Sequence, residues 1–258
     1  MDGEILSGGT TTVVRIGRTV RRPVRAWSEA VQWLLTGLAR AQVRGVPRWR
    51  GVDEEGREVL DFLPGEAGTS ADRVPDRALV GAAKLLRRVH DATVPLPDKT
   101  SWRWQLPVVE PVEVVCHGDF APYNCVFRDG GTTGVFDFDA AHPGPRSWDL
   151  AHAVYRFAPL STSDTSDAGE QARRARLFLD SYGRTRGERL DVVDALVPRL
   201  LALVHFMRTA AANGDPNFAR HIEEGHADLY LRDADHITAH RAMWDRIVVG
   251  EPVSPIRP

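Results

Sequence analysis

Three oxygen-bearing side chains stand close together in the middle of the chain. In Val114-Val115-Cys116-His117-Gly118-Asp119-Phe120-Ala121-Pro122-Tyr123-Asn124, an apolar strand delivers Asp119 into a tight loop, and Asn124 follows five positions later. A short hairpin through Arg128-Asp129-Gly130-Gly131 returns a second apolar strand, and Val135-Phe136-Asp137-Phe138-Asp139 ends it on Asp137. Phosphoryl transfer to a hydroxyl needs a carboxylate that orients the hydroxyl and accepts its proton. It also needs oxygen ligands for the magnesium that bridges the nucleotide phosphates. Asp119 suits the first task, and Asn124 with Asp137 suits the second. Aspartate and asparagine are also ordinary turn residues; the order and spacing of the three carry the chemical reading.

Around this constellation several residues have plainer readings. Asp149 stands where it caps or charge-stabilises the helix that follows. Cys116 and Cys125 read as small buried thiols on strands. His90 and Trp33 fall on helical core spacing, and Trp102 and Trp104 read as buried. Near the start, Ser7-Gly8-Gly9-Thr10 precedes a strand, so that Gly8 and Gly9 are placed to turn backbone N–H groups toward nucleotide phosphates.

The elements that must hold these residues follow from pattern. Residues 1–65 read as short strands, 13–16, 19–22, 49–52 and 58–63, with one helix opened by Ser28 and carrying Ala30, Val31, Leu34, Leu35 and Leu38 on one face. Pro64-Gly65-Glu66-Ala67-Gly68 marks a boundary, because Pro and Gly cluster where strand pattern gives way to helix. A helix over 76–90 buries Leu79, Ala82, Ala83, Leu86 and Val89. Short strands and tight loops return over 112–139, and helices over 149–158, 168–184, 190–213 and 216–245 complete the chain. The pattern predicts an α+β protein with two lobes: residues 1–63, rich in strands, and residues 64–258, mainly helical.

Composition excludes other classes. The chain has 258 residues, 43% of them apolar and 26% charged, with a net charge of −2, enough to bury a core and too balanced for a disordered chain. No apolar run approaches the ~20 residues that span a bilayer, and the first residues lack the pattern of a secretory signal. Two cysteines do not make a disulfide scaffold, so a reduced, cytoplasmic protein is expected. The charge balance gives no reason to expect nucleic acid as a partner.

HGDFAPYN followed by FDFD resembles the catalytic motif of aminoglycoside phosphotransferases and their choline-kinase-like relatives, a family similar in fold to protein kinases. Gly144-Pro145-Arg146-Ser147-Trp148-Asp149-Leu150-Ala151 resembles the family's continuation into a helix. The resemblance implies a two-lobed, protein-kinase-like fold, with Asp119 as catalytic base and Asn124 and Asp137 as magnesium ligands. His117 then braces the loop, and Asp139 either supports Asp137 or shares the metal. It implies ATP or GTP as phosphoryl donor, with the purine against backbone groups of Phe62 and Leu63. The strand lysine of kinases is missing. Arg21 is expected in its place, with Arg22 as the alternative, and Glu29 is either the acid that pairs with this cation or a helix-dipole residue. The implied activity is that of a small-molecule kinase acting on an alcohol group, first of all on an aminoglycoside or similar hydroxylated antibiotic. A metabolic kinase for choline, a sugar or a hydroxy amino acid stands as the alternative, beside a weakly catalytic binding or immunity protein. A polycationic acceptor would call for carboxylates in the helical lobe, where Asp149, Asp180, Glu223, Glu224, Asp228 and Asp233 are available.

Overall fold

The structure is a computed structural model that describes residues 3–6, 13–69 and 73–249. Gly8 and Gly9, read above as phosphate-facing, lie outside the described residues. β1 (Glu4–Leu6), β2 (Val13–Ile16), β3 (Thr19–Pro23), β4 (Trp49–Val52) and β5 (Arg57–Asp61) form one antiparallel sheet in the order β1-β2-β3-β5-β4. Between β2 and β3 the chain reverses at Gly17, whose φ of 61° is free of the Cβ clash that other residues would meet. β3 pairs with β5 so that Arg22 lies opposite Glu58 and Arg21 opposite Val59. Side chains alternate faces along a strand, so this register sends Arg21 and Arg22 to opposite sides of the sheet.

Between β3 and β4 comes α1 (Ser28–Arg40), which buries Ala30, Val31, Leu34, Leu35 and Leu38, the stripe its spacing predicts. Ser28 is the first helical residue rather than the cap, and its hydroxyl accepts the Arg25 N–H at 2.9 Å. The two-residue β6 (Glu66–Ala67) leads into α2 (Asp76–Thr93), one turn longer than the pattern indicated because Thr93 closes it by donating its hydroxyl to the His90 carbonyl. β7 (Val114–Cys116), β8 (Cys125–Arg128), β9 (Gly131–Val135) and β10 (His142–Gly144) make two small sheets, β10-β7 and β6-β8-β9.

The remainder is helical: α3 (Arg146–Phe157), α4 (Ala168–Tyr182), α5 (Arg186–Ala212), α6 (Pro216–Glu223), α7 (His226–Ala239) and α8 (Arg241–Val249). The single span expected over 216–245 is therefore three helices. The first break falls at Glu224-Gly225, where Gly225 takes a φ of 80°, and the second at His240. The molecule is a small antiparallel sheet lobe joined to a larger helical part. A row of Phe120, Phe157 and Phe178, centroids 5.6 and 5.5 Å apart, runs through the core of the helical part beneath the Asp119 loop. Each such ring contributes about 2–3 kcal/mol by burial. Trp33 packs against Trp102 and Trp104 at 5.6 and 6.2 Å. Both cysteines are buried free thiols. Among the described residues no helix is long and apolar enough to cross a membrane.

Candidate active site

β7 carries the chain to His117 and Gly118, and the turn there admits only glycine. Gly118 has φ 81°, and a Cβ would stand 2.0 Å from the Ala140 carbonyl oxygen. Asp149, in the first turn of α3, holds this turn from beneath. Its Oδ2 accepts the His117 N–H at 2.7 Å, its Oδ1 the Gly118 N–H at 2.9 Å, and His90 Nε2 donates to Oδ2 at 2.9 Å. The carboxylate is fully buried. Burial resists its charge, but the His90 hydrogen bond, with the His117 N–H, outweighs this and keeps its pKa below the usual range. The Tyr182 hydroxyl bonds His90 Nδ1 at 2.7 Å and accepts from Arg146 at 2.7 Å. From α5, the buried Arg199 donates to the Gly118 carbonyl at 2.6 Å.

Asp119 emerges from this braced turn with about a third of its side chain exposed. Tyr123 donates its hydroxyl to Oδ1 at 2.6 Å, His152 Nε2 donates to the same oxygen at 2.9 Å, and the Asn124 amide donates to Oδ2 at 2.9 Å. Loss of water raises the carboxyl pKa, but the His152 and Tyr123 hydrogen bonds and the Arg156 charge outweigh it and bring it down to about 2. Burial keeps His152 neutral at pH 7, and its Nδ1 has no partner. His117 is buried, its Nε2 donating to the Phe136 carbonyl at 3.0 Å and its Nδ1 accepting the Asp119 N–H at 3.3 Å.

After β9, Asp137 sits in a left-handed conformation, φ 61°, which turns its side chain outward with half its surface exposed. Partial withdrawal from water, then the charges of Asp139 and Asp119, push it up to about 6 against the pull of Arg22. Arg22 comes from β3. Its Nε donates to the buried Glu58 at 2.9 Å, and Nη1 lies 2.6 Å from Asp139 Oδ1 and 4.0 Å from Asp137. This buried oxygen of Asp139 is held by that ion pair with Arg22. The structure thus brings Asp119, Asn124, Asp137, Asp139 and His117 together and adds Arg22 to them.

Residues 96–190 match the model of the phosphotransferase enzyme family. Over 205 residues the chain is 33% identical to the trifolitoxin immunity protein of Rhizobium leguminosarum bv. trifolii, covering 75% of this chain and 78% of that protein. The chain belongs to the phosphotransferase enzyme family. Solved structures share the fold at low identity. A choline/ethanolamine kinase family protein from Mesorhizobium loti is 17% identical with a TM-score of 0.65, over 96% of this chain and 92% of that one. Amicoumacin kinase hAmiN, in complex with AMP-PNP, calcium and Ami, is 14% identical with a TM-score of 0.63, over 99% and 90%. The streptomycin-ATP-APH(2")-IIa complex is 14% identical with a TM-score of 0.58, over 92% and 93%.

In this phosphotransferase the remaining residues singled out from sequence are placed as follows. Arg21 turns away from the carboxylates, pairing with Asp53 at 3.3 Å and the Thr19 hydroxyl at 2.7 Å. Arg22 pairs with Glu58 of β5, which Gln32 of α1 also holds at 2.9 Å, while Glu29 is exposed. Phe62 donates its N–H to the Arg18 carbonyl at 2.9 Å, and its ring lies 3.9 Å beneath the Arg15 guanidinium. Leu63 lines a cavity of about 260 Å³ with Gly45, Pro64, Val126 and Gly134. His152, Arg199 and Glu58 are not singled out from sequence, and Asp149 reads there as a helix-capping or dipole residue rather than as the brace of the Gly118 turn. Glu58 carries little signal, since its strand reads Arg57-Glu58-Val59-Leu60-Asp61, with charged residues at both ends.

Proposed function

We propose that this phosphotransferase moves the γ-phosphoryl group of ATP or GTP onto a hydroxyl of a small-molecule acceptor. The observation that carries the reading is the Asp119 carboxylate, ionised and anchored on both oxygens, within one loop of the Asn124, Asp137 and Asp139 oxygens. On this reading Asp119 orients the acceptor hydroxyl and receives its proton as the bond to phosphorus forms. Arg22, rather than Arg21, is the cation that reaches the nucleotide phosphates, because β3 aims it at the carboxylates. Residues 1–63 then hold the nucleotide, and residues 64–258 supply the catalytic loop and the acceptor side, in the cytoplasm where the nucleotide is made.

Asn124, Asp137 and Asp139 fit a magnesium ion. The donors are all oxygen, and Asp137 is crowded by the like charges of Asp139 and Asp119. When bound, magnesium would neutralise the phosphate charge there. For the acceptor we place hydroxylated antibiotics first, and choline, a sugar or a hydroxy amino acid second. The name of the immunity protein that is 33% identical favours a protective role, whether by modifying a toxic compound or by binding it without turnover. The test is a screen of hydroxylated compounds with magnesium and ATP or GTP, read by mass gain of one phosphate. A phosphorylated product supports the kinase reading. Nucleotide binding with no product from any acceptor, and no magnesium-dependent hydrolysis, leaves the binding reading in its place.

A further inference from the structure

We infer that the acceptor carries a carboxylate close to the hydroxyl that is phosphorylated, and that Arg156 is the residue that binds it. The inference rests on the kinase reading above and deepens it. Arg156 lies on α3 one turn beyond His152, so the two share a helix face. His152 already bonds Asp119. The Arg156 guanidinium lies 4.9 Å from the ring centroid of Tyr123, whose hydroxyl bonds Asp119, and 5.7 Å from that of Tyr155. One tyrosine ring therefore separates this cation from the candidate catalytic carboxylate. Tyr230 of α7 extends the same wall, 6.1 Å from Tyr155.

Two features make this a ligand-binding arrangement rather than an internal ion pair. First, among the described residues no carboxylate comes within 4 Å of Arg156, whereas Arg22, Arg50, Arg57 and Arg173 all have such partners. The guanidinium lies over the two phenol rings, and the residue is half-buried rather than sealed in the core. Second, four of the six acids named above for a polycation are already engaged, while Glu223 and Asp228 stand exposed at the surface. Asp233 is fully buried, accepting from the Tyr155 hydroxyl at 2.6 Å and from the Thr162 N–H and hydroxyl, both at 2.7 Å. Asp149 holds the loop, Asp180 is paired with Arg189, and Glu224 lies between Arg220 and His226. The wall beside Asp119 is thus three phenols and one unpaired guanidinium. Its planar fork matches a carboxylate on two N–H groups, and it repels the ammonium groups that an aminoglycoside would bring.

The experiment uses the full chain and matched probes: N-acetylserine against N-acetylserinamide, glycerate against glyceramide, and streptomycin as the polycation. Affinities are measured by calorimetry with and without magnesium and AMP-PNP, for wild type, Arg156→Gln and Arg156→Lys. The acids are expected to bind at least tenfold more tightly than their amides. Arg156→Gln is expected to erase that ratio, and Arg156→Lys to keep part of it. Unchanged AMP-PNP affinity certifies that a variant has folded, and the lysine variant serves if the glutamine one has not. Acids no tighter than amides, streptomycin binding best, or a ratio that survives Arg156→Gln overturns the inference. Failure of the kinase reading looks different: wild type then shows no magnesium-dependent AMP-PNP binding, whatever its preference among acids and amides.

Discussion

A carboxyl brought down to about 2 is a weak base, so on the proposed reading Asp119 would act chiefly by orientation and charge, accepting the proton late, when the transferring phosphoryl group has made the hydroxyl acidic. Asp119→Asn keeps the shape and removes the charge. Turnover is expected to fall by about 10²–10⁴-fold, with nucleotide affinity changed little; steady-state kinetics beside a nucleotide titration checks both, and retention of a tenth of wild-type turnover removes the assignment. The two arginines of β3 give a second prediction. Arg22→Ala leaves Glu58 charged in the core, which costs about 3–5 kcal/mol, and it also weakens nucleotide binding. Arg21→Ala loses a partly exposed pair with Asp53, at a cost of about 1 kcal/mol or less. Denaturant midpoints and nucleotide titrations of the two variants decide the ranking, and the reverse order returns the phosphate role to Arg21. The sequence reading expects Arg21, on resemblance alone, with Arg22 as the alternative. Strand alternation says that neighbours face opposite ways, but which one faces the cleft depends on the register of β3 against β5 and on Glu58, 36 residues away.

At the scale of elements, α3 and α2 clamp the catalytic turn from below. Asp149 takes two consecutive backbone N–H groups from the turn and one imidazole N–H from α2, so every lone-pair direction used is met by a donor. Asp149→Asn replaces one acceptor by a donor that faces other donors. A loss of about 2–4 kcal/mol is expected, together with a fall in turnover; an unchanged unfolding midpoint would show that the turn holds itself. This clamp was illegible in the sequence, because Asp149 in the first turn of its own helix reads as a dipole residue and His90 reads as core. Their bond joins positions 59 apart. What was legible had local causes: the apolar stripes of α1 and α2, the glycine turns, and the strand–loop–strand course from Val114 to Val135. The breaks at Gly225 and His240 were missed because neither carries a proline, and a lone glycine within a helical pattern is tolerated.

At the scale of the molecule, the site is built on buried neutral imidazoles. His90, His117, His142 and His152 are at most 3% exposed. Burial pushes each pKa down, that of His142 to about 4. In the unfolded chain all four titrate near 6.5. As pH falls through 6.5 the unfolded state therefore binds protons that the folded state refuses, and each histidine lowers stability by up to about 1.4 kcal/mol per pH unit. Asp137 works the other way: raised to about 6 in the fold, it takes up a proton on folding, but half its side chain is exposed, so solvent screening leaves it offsetting only part of one of the four. Asp119 and Asp149, both lowered, add their own losses only when the pH drops through the ordinary carboxylate range near 4. Acid unfolding should therefore begin between pH 6.5 and 5, before those two carboxylates protonate. Urea midpoints of the nucleotide-free protein at pH 7.5, 6.5, 5.5 and 4.5 measure it. A steady decline below 6.5 is expected, and His142→Gln should make the slope shallower by about one proton's worth. A midpoint that stays flat down to pH 4.5 would mean that these imidazoles protonate in place, and that the neutral ring around the catalytic loop does not exist.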